Sequence, residues 1–253
     1  MLSSAEKIEL YQRGYVRIAG LIPRQTMDAA LRAINASVGR GMNEGDMPRY
    51  HAQGFCSDSR STPVITDLFN KTPAFALVES LLGAGNILPV NDGQVALRFP
   101  TMAEPTGLPR PHIDGTYAPN NGVEPGKLEN FTLLVGCFLS DVKAPLSGNF
   151  MVWPGSHRAH AEYFARHGPE ALLQGMPAVD LGEGVQVQVN AGDVVLAQYL
   201  LGHTVAPNTS PHIRYTVFFR IHAREMPADR FRSMTEPWAH WPGMSDVGGE
   251  MAR

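Results

Sequence analysis

Short apolar runs between residues 86 and 222 constrain the fold of this 253-residue chain more than any other feature. They are rich in Val, Leu, Phe and Thr, and clusters of Gly, Pro, Asn and Asp separate them: NILPV, QVALRF, FTLLVGCFL, NFMVW, VQVQV, DVVLAQYLL and IRYTVFFRI. The 25 Gly and 20 Pro exceed the usual share of roughly 12%. This pattern predicts a mainly β antiparallel sandwich or jelly roll with helices packed outside it.

The segment before these runs is predicted to be mostly helical. Residues 3–13 form a short helix that Gly14 closes, YVRIAG alternates as a strand, and Pro23 opens a second helix with an apolar stripe. Another helical stretch covers residues 63–83, whereas residues 40–62 predict a long functional loop. We therefore expect a single domain: residues 1–86 as helical support, 87–222 as jelly-roll core and 223–253 as a tail.

Charge and cysteine content exclude several classes of protein. The net charge is −3, from 24 acidic and 21 basic residues, without the basic excess of a nucleic-acid binder. Cys56 and Cys137 form no C-x-x-C pair, so neither a disulfide framework nor a cysteine zinc site is predicted. No apolar stretch reaches 18 residues. We expect a cytoplasmic protein that acts on a small molecule, with no nucleic-acid or membrane partner.

The segment RPHIDGTY carries the strongest local signal for chemistry. His112 and Asp114 are separated by one residue, and in extended backbone such side chains point to the same face. Because Asp-Gly is also a common turn pair, a surface turn with a nearby histidine is the simpler explanation of the segment taken alone. The other histidines decide between the two interpretations.

His203 ends the apolar run DVVLAQYLLGH and is expected at the rim of a strand. Two His and one Asp match the facial triad of non-haem Fe(II) oxygenases, which leaves metal positions open. Most other histidines are expected at the surface: His157, His160, His167, His212, His222 and His240. PGSH is interpreted as a turn in which Ser156 caps a helix.

Arg214 follows His203 by eleven residues, across a turn that predicts a hairpin. If the two strands pair, its guanidinium enters the same pocket and offers a bidentate donor to a carboxylate. Thr216 shares that face by alternation. A solubility charge on an edge strand is the alternative explanation of Arg214.

The chain resembles the phytanoyl-CoA dioxygenase-like branch of the Fe(II)/2-oxoglutarate oxygenases over most of its length. YQRGYVRIAGLIPRQTMDAALRAI is similar to the opening helix, strand and helix of this family, PHIDGTY to its H-x-D segment, and FMVWPGSHR to its P-G-S-H turn. AGDVVLAQYLLGHTVAPNTSPHIRYTVFFRI resembles its distal-histidine strand followed by Arg. The family fold is a cupin-like double-stranded β-helix, in agreement with the predicted jelly roll.

The resemblance implies that His112, Asp114 and His203 bind Fe(II), and that Arg214 binds the distal carboxylate of 2-oxoglutarate. It further implies consumption of O2, release of succinate and CO2, and hydroxylation of the substrate. Related halogenases replace the carboxylate ligand with a small residue, and this chain retains Asp114. Hydroxylation is therefore preferred, although desaturation, epimerisation and ring chemistry use the same triad.

Further pocket residues are weaker predictions, since each is also explained as an ordinary polar residue. Those expected near the cosubstrate are Thr216, Gln94 and Thr132, and those expected in the substrate pocket are Arg98, Arg110 and Tyr117. Arg49, His51 and Arg60 are expected at the entrance. The chain departs from many family members in lacking a Trp on FTLLVGCFL and in carrying Val205 two residues after the distal histidine.

Two other functions fit the same residues. A non-catalytic module of the same fold could bind a metal or metabolite, but it has no need of three open coordination positions. A zinc-dependent hydrolase could use His, His and Asp, but this interpretation leaves Arg214 unexplained.

Overall fold

Two antiparallel sheets form the centre of the protein. The computed structural model describes residues 1–41, 56–103, 105, 107–118 and 123–247. The strands are β1 (Tyr15–Ile18), β2 (Gln94–Arg98), β3 (Leu133–Phe138), β4 (Phe150–Val152), β5 (Val185–Gln186), β6 (Val194–Gln198), β7 (His203–Val205) and β8 (Arg214–Ile221). None of the helices in these ranges is long and apolar enough to span a membrane.

The helices are α1 (Ser4–Arg13), α2 (Arg24–Gly39), α3 (Pro63–Asn70), α4 (Pro73–Leu82) and α5 (Ser156–His167). A capping box between Ser3 and Glu6 starts α1, and Gly14, at φ +79°, ends it as predicted. The helical stretch at residues 63–83 is two helices, because Thr72 caps a new helix that begins at Pro73.

The larger sheet has the order β1-β6-β3-β8-β2, so the last strand in sequence lies between β3 and β2. The smaller sheet has the order β5-β4-β7. Antiparallel register fixes which side chains share a face: on β8, Arg214 lies opposite Arg98 and Thr216 opposite Ala96. The positions that matter for the site are therefore set by the pairing of β2 with β8.

Apolar side chains fill both sides of the larger sheet. Between the two sheets lie Phe138, Val195 and Phe218 from one and Phe150 from the other. The opposite face packs against α2, α3 and α4, through residues such as Val135, Leu196, Val217, Ile34 and Leu68. Two facing antiparallel sheets with helices outside them are the predicted double-stranded β-helix, or jelly roll.

The C-terminal segment packs against two helices, with Met226–Met234 on α5 and Pro242–Met244 on α4. Its short 3-10 helices are Met226–Met234 and Pro242–Met244. Trp241 and Met244 are buried in the same core as the helices. A Cβ at Gly243 would approach the Ser80 carbonyl oxygen to 2.1 Å, so the backbone of this segment lies directly on the helix.

Three sequence predictions about strands and burial are wrong. The strands of His203 and Arg214 do not form the predicted hairpin, because β7 pairs with β4 in the smaller sheet and β8 pairs with β3 and β2 in the larger one. NILPV forms no strand: the Val90 backbone N–H and C=O bond the side chain of Asn70 instead of another strand. Three of the histidines expected at the surface are buried: His157, His160 and His240. For His157 and His160 the polar neighbours in sequence concealed this, because helix periodicity places these two residues, three apart, on the face of α5 that packs against the core.

Candidate metal centre

His112, Asp114 and His203 converge at one end of the two sheets. One ligand atom from each lies within 4.8 Å of the others. Asp114 Oδ1 is 3.5 Å from His112 Nε2 and 3.8 Å from His203 Nε2. The backbones of the two histidines form a bridge, with N–H to carbonyl distances of 2.9 and 3.0 Å. This bridge brings together residues far apart in sequence.

Burial prepares His203 to bind a metal. Its Nδ1 donates to the Leu201 carbonyl at 2.9 Å, which leaves the Nε2 lone pair directed at the cluster. Burial, with a smaller contribution from His112, lowers the pKa of His203 to about 4. The imidazole is therefore neutral at physiological pH, the form that coordinates metals.

The segment that carries His203 is held from three sides. The Gly202 N–H donates to Ser156 Oγ at 2.8 Å, and its carbonyl accepts from the Trp153 N–H at 2.9 Å. His160 Nδ1 donates to the Leu200 carbonyl at 2.7 Å. Ser156 thus does not cap α5, whose N-cap is Gly155. The P-G-S-H turn instead fixes the backbone beside the distal histidine.

Asp114 presents its two oxygens to different partners. Oδ1 faces the histidines, whereas Oδ2 accepts from Arg220 Nε at 3.0 Å and Nη2 at 2.7 Å. Burial opposes ionisation, yet Arg220, His112 and His203 hold the pKa of Asp114 well below its usual range. The carboxylate is ionised and ready to coordinate a cation.

Arg214 is buried on the face of β8 that points between the sheets. Its Nε donates to the Gly148 carbonyl at 2.9 Å and its Nη1 to the Ala96 carbonyl at 3.1 Å. Nη2 has no hydrogen-bond partner in the described part of the chain, and neither has the buried hydroxyl of Thr216. Two unsatisfied polar groups side by side indicate a site for an anion with oxygen acceptors.

A second guanidinium, that of Arg98, adds positive charge beside Arg214 and favours a bound anion. Arg98 is the cross-strand partner of Arg214, and like charges directly opposite each other are unfavourable. Burial, reinforced by Arg98, lowers the pKa of Arg214 to about 9. A bound carboxylate would offset both effects.

The remaining pocket predictions differ in where the structure places them. Gln94 Oε1 accepts from Arg220 Nη1 at 2.9 Å, so it lies beside the metal centre. Thr132 is committed elsewhere, since its hydroxyl contacts Met226 Sδ and accepts from the Ala223 N–H.

The predicted entrance residues are only partly described. Arg110 and Tyr117 are exposed on the segment around His112. Arg60 forms an ion pair with Asp92. Arg49 and His51 lie outside the described residues.

Sequence reasoning missed Arg220, the residue that contacts Asp114 most directly. The signal was present: residues 214, 216, 218 and 220 alternate onto one face of β8. Phe218, on that face, packs against Phe150 with ring centroids 5.4 Å apart, and Phe150 lies 5.6 Å from the His203 ring. Apolar groups therefore line the space between the two polar clusters.

Solved structures with the same fold bind a metal and 2-oxoglutarate. HygX from Streptomyces hygroscopicus, solved with nickel and 2-oxoglutarate bound, is 17% identical, with a TM-score of 0.55 over 89% of this chain and 88% of HygX. A second HygX structure also contains hygromycin B, with a TM-score of 0.53.

Two further structures are similar over most of their length. SnoK, a non-haem α-ketoglutarate-dependent carbocyclase from nogalamycin biosynthesis, is 22% identical, with a TM-score of 0.52 over 87% of this chain and 84% of SnoK. EctD from S. alaskensis, in its apo form, is 18% identical, with a TM-score of 0.56 over 88% of this chain and 77% of EctD. At these identities the likeness shows the fold.

The family follows from the sequence itself. No curated protein matches the chain. The family model described as phytanoyl-CoA dioxygenase (PhyH) matches residues 10–216, which include both histidines, Asp114 and Arg214. The chain belongs to the phytanoyl-CoA dioxygenase (PhyH) family, whose members are non-haem oxygenases that use Fe(II), 2-oxoglutarate and O2.

Proposed function

We propose that this oxygenase hydroxylates a small organic molecule, with His112, Asp114 and His203 as the Fe(II) ligands. The single observation that carries the proposal is the pairing of this cluster with buried, unpartnered donors at Arg214 Nη2 and Thr216 Oγ1 in the described structure. The three-residue cluster would bind the metal ion, and the two unpartnered donors would bind an anionic cosubstrate.

Each protein group has a distinct task in this proposal. The two imidazoles and one carboxylate hold the ion from one side and leave the other positions open. Arg214 and Thr216 bind the distal carboxylate of 2-oxoglutarate, with Arg98 adding positive charge nearby. Phe150 and Phe218 exclude water from the intervening space.

Bound Fe(II) and 2-oxoglutarate supply the oxidising chemistry, in which O2 is consumed, 2-oxoglutarate becomes succinate and CO2, and one oxygen atom enters a substrate C–H bond. The protein holds that C–H bond next to the open side of the metal site. A small-molecule substrate is supported by the HygX structure that contains hygromycin B.

The test is an anaerobic titration with Fe(II) and 2-oxoglutarate. Wild-type protein should develop the weak visible charge-transfer absorption of the Fe(II)–2-oxoglutarate chelate. Arg214→Met should require about 10- to 100-fold more 2-oxoglutarate, because a charged hydrogen bond is lost. Metal affinity without the cosubstrate should stay unchanged.

Arg232→Met is the matched control, because Arg232 pairs with Glu236 on the surface. It should titrate like wild type. Absence of the absorption in metal-replete wild-type protein contradicts the cosubstrate assignment. Activity restored by Zn(II) in place of Fe(II) would support a hydrolase instead. Succinate release in the presence of a panel of candidate substrates then identifies the class that is hydroxylated.

A further inference from the structure

Arg220 is the one charged group that ties the Asp114 carboxylate to the rigid part of the fold among the described residues. Both Nε and Nη2 donate to Asp114 Oδ2, at 3.0 and 2.7 Å. The other oxygen, Oδ1, is the one that faces His112 and His203. Oδ2 therefore binds the guanidinium, whereas Oδ1 remains available to a metal ion.

Arg220 is itself held in place. Its Nη1 donates to Gln94 Oε1 at 2.9 Å, and its guanidinium lies 5.7 Å from the centre of the Phe131 ring. Its strand, β8, is paired on both sides, with β3 and β2. The fork is thus preorganised by groups that do not belong to the loop it restrains.

We infer that Arg220 is a positioning residue that keeps Asp114 monodentate, so that the metal retains its open positions. This inference rests on the proposed function of the His112, Asp114 and His203 cluster. A carboxylate free to rotate could offer both oxygens to the ion and occupy a position that the cosubstrate needs. With Oδ2 engaged by two N–H donors, only Oδ1 remains for the metal.

Positive charge near a cation also opposes metal binding, so Arg220 has two opposed effects on metal affinity. The Arg220 side chain is 38% exposed, and water screens its repulsion of the ion. The hydrogen bonds to Oδ2 are short and directional, and outer-shell partners of metal ligands typically contribute about 10- to 100-fold to metal affinity. The orienting effect therefore dominates.

The experiment is an anaerobic Co(II) titration of the full-length protein, followed by calorimetry and by visible d–d absorption, which reports coordination number. Arg220→Met retains the packing against Phe131 and removes the fork. Its Co(II) affinity should fall about 10- to 100-fold, with a changed d–d spectrum. Arg220→Lys keeps the charge without the fork and should lie between Arg220→Met and wild type.

Arg230→Met is the matched control. Arg230 also stacks on a ring, at 4.8 Å from Phe231, and also pairs with a carboxylate, but that carboxylate is Glu129, outside the metal cluster. It should bind Co(II) with wild-type affinity and spectrum. Should Arg220→Met fail to fold, Arg220→Gln tests the same loss of the fork.

A wild-type d–d spectrum in the Arg220→Met protein would overturn the inference, whatever its Co(II) affinity, because it would show that Asp114 stays monodentate without Arg220. A wild-type spectrum and affinity in Arg220→Lys would overturn the role of the two directed N–H donors. Wild-type protein that binds no Co(II) would overturn the proposed function together with it. The two failures are therefore distinguishable from the wild-type titration alone.

Discussion

The two segments that carry the proposed metal ligands are built in opposite ways. The segment of His203 is buried and held by Ser156, His160 and Trp153 from neighbouring elements. The segment of His112 and Asp114 belongs to no strand beyond a single bridge, and the His112 side chain is half exposed. One proposed ligand thus lies on a firmly held segment, called the anchor below, whereas the other two lie on a segment that depends on a few contacts.

The position of His112 and Asp114 therefore depends on a small number of contacts. The loop segment is fixed at separate points: by the bridge to His203, by Tyr199 Oη to the Asp114 carbonyl at 3.2 Å, and by the Glu129 N–H to the Gly115 carbonyl at 2.8 Å. Among the described residues, the ion pair between Arg220 and Asp114 is the only one that joins the cluster to a residue outside it. Substitutions can weaken the two segments at separate points.

The largest effect is expected for Gly115→Ala. Gly115 has φ +110°, and a Cβ there would lie 2.0 Å from the Glu129 carbonyl oxygen. Backbone strain and the clash together should lower the free energy of unfolding by about 3 kcal/mol, with a loss of metal affinity, as measured by chemical denaturation and Co(II) titration.

Gly126→Ala is the control, because Gly126 also has positive φ, +78°, but nothing lies within 4 Å of the added methyl. It should cost only about 1 kcal/mol. If the two variants are equally stable, the loop moves aside freely and its contact with residue 129 is unimportant.

Acid should destabilise the fold through His157, which lies on the same helix as Ser156 and His160. Burial, with Arg158 and His160 nearby, lowers the pKa of His157 from 6.5 to about 4. The unfolded state therefore takes up the proton first, and stability is lost as the pH falls from 6.5 towards 4. Between pH 7 and pH 5 this histidine should account for about 2 kcal/mol of lost unfolding free energy.

His157→Gln should reduce the difference in unfolding free energy between pH 7 and pH 5 by that amount. His167→Gln, an exposed histidine on the same helix, should leave the difference unchanged. Equal pH dependence in wild type and His157→Gln would show that the acid sensitivity arises elsewhere.

Ser156→Ala tests the anchor directly. The substitution leaves the buried Gly202 N–H without its acceptor and should cost about 1.5 kcal/mol of unfolding free energy. Because other contacts still hold this segment, metal affinity should fall less than tenfold. The exposed Ser245→Ala should change neither quantity. A collapse of metal binding in Ser156→Ala would mean that the anchor depends on this one bond.

The smallest effect is expected for Tyr199→Phe, which removes the hydroxyl that contacts the Asp114 carbonyl. Stability should fall by about 0.5–1 kcal/mol, and amide hydrogen exchange in residues 112–116 should become faster. Tyr215→Phe removes a hydroxyl that bonds Asn35 instead, at 2.9 Å. It should leave exchange in residues 112–116 as in wild type, and any equal acceleration there would argue against a local effect.

Features that depend on short-range periodicity could be predicted from the sequence. Alternation along IRYTVFFRI puts Arg214 and Thr216 on one face, and the helix signals at Ser3, Gly14 and Pro23 match the helix ends. Period two also predicts that His112 and Asp114 can converge, and the structure brings His203 to them.

Features that depend on packing between distant segments were not predictable in this way. NILPV has strand composition, but Asn70 from a helix takes its backbone groups. His160 lies among polar neighbours in sequence, yet it bonds the Leu200 carbonyl in the core. Arg220 was on a predicted face, but only the register of β8 with its neighbours and the path of the loop bring it to Asp114.

The strand order also dictates when this protein can complete its fold. Tyr15 pairs with Ala197, and β8 inserts between β3 and β2. β1 therefore cannot pair until most of the chain has been synthesised, and β8, which carries Arg214 and Arg220, is the last strand to be synthesised. Such non-local pairing slows folding and leaves strand edges exposed until then. A nascent chain would thus need protection from aggregation until residue 221 has emerged from the ribosome.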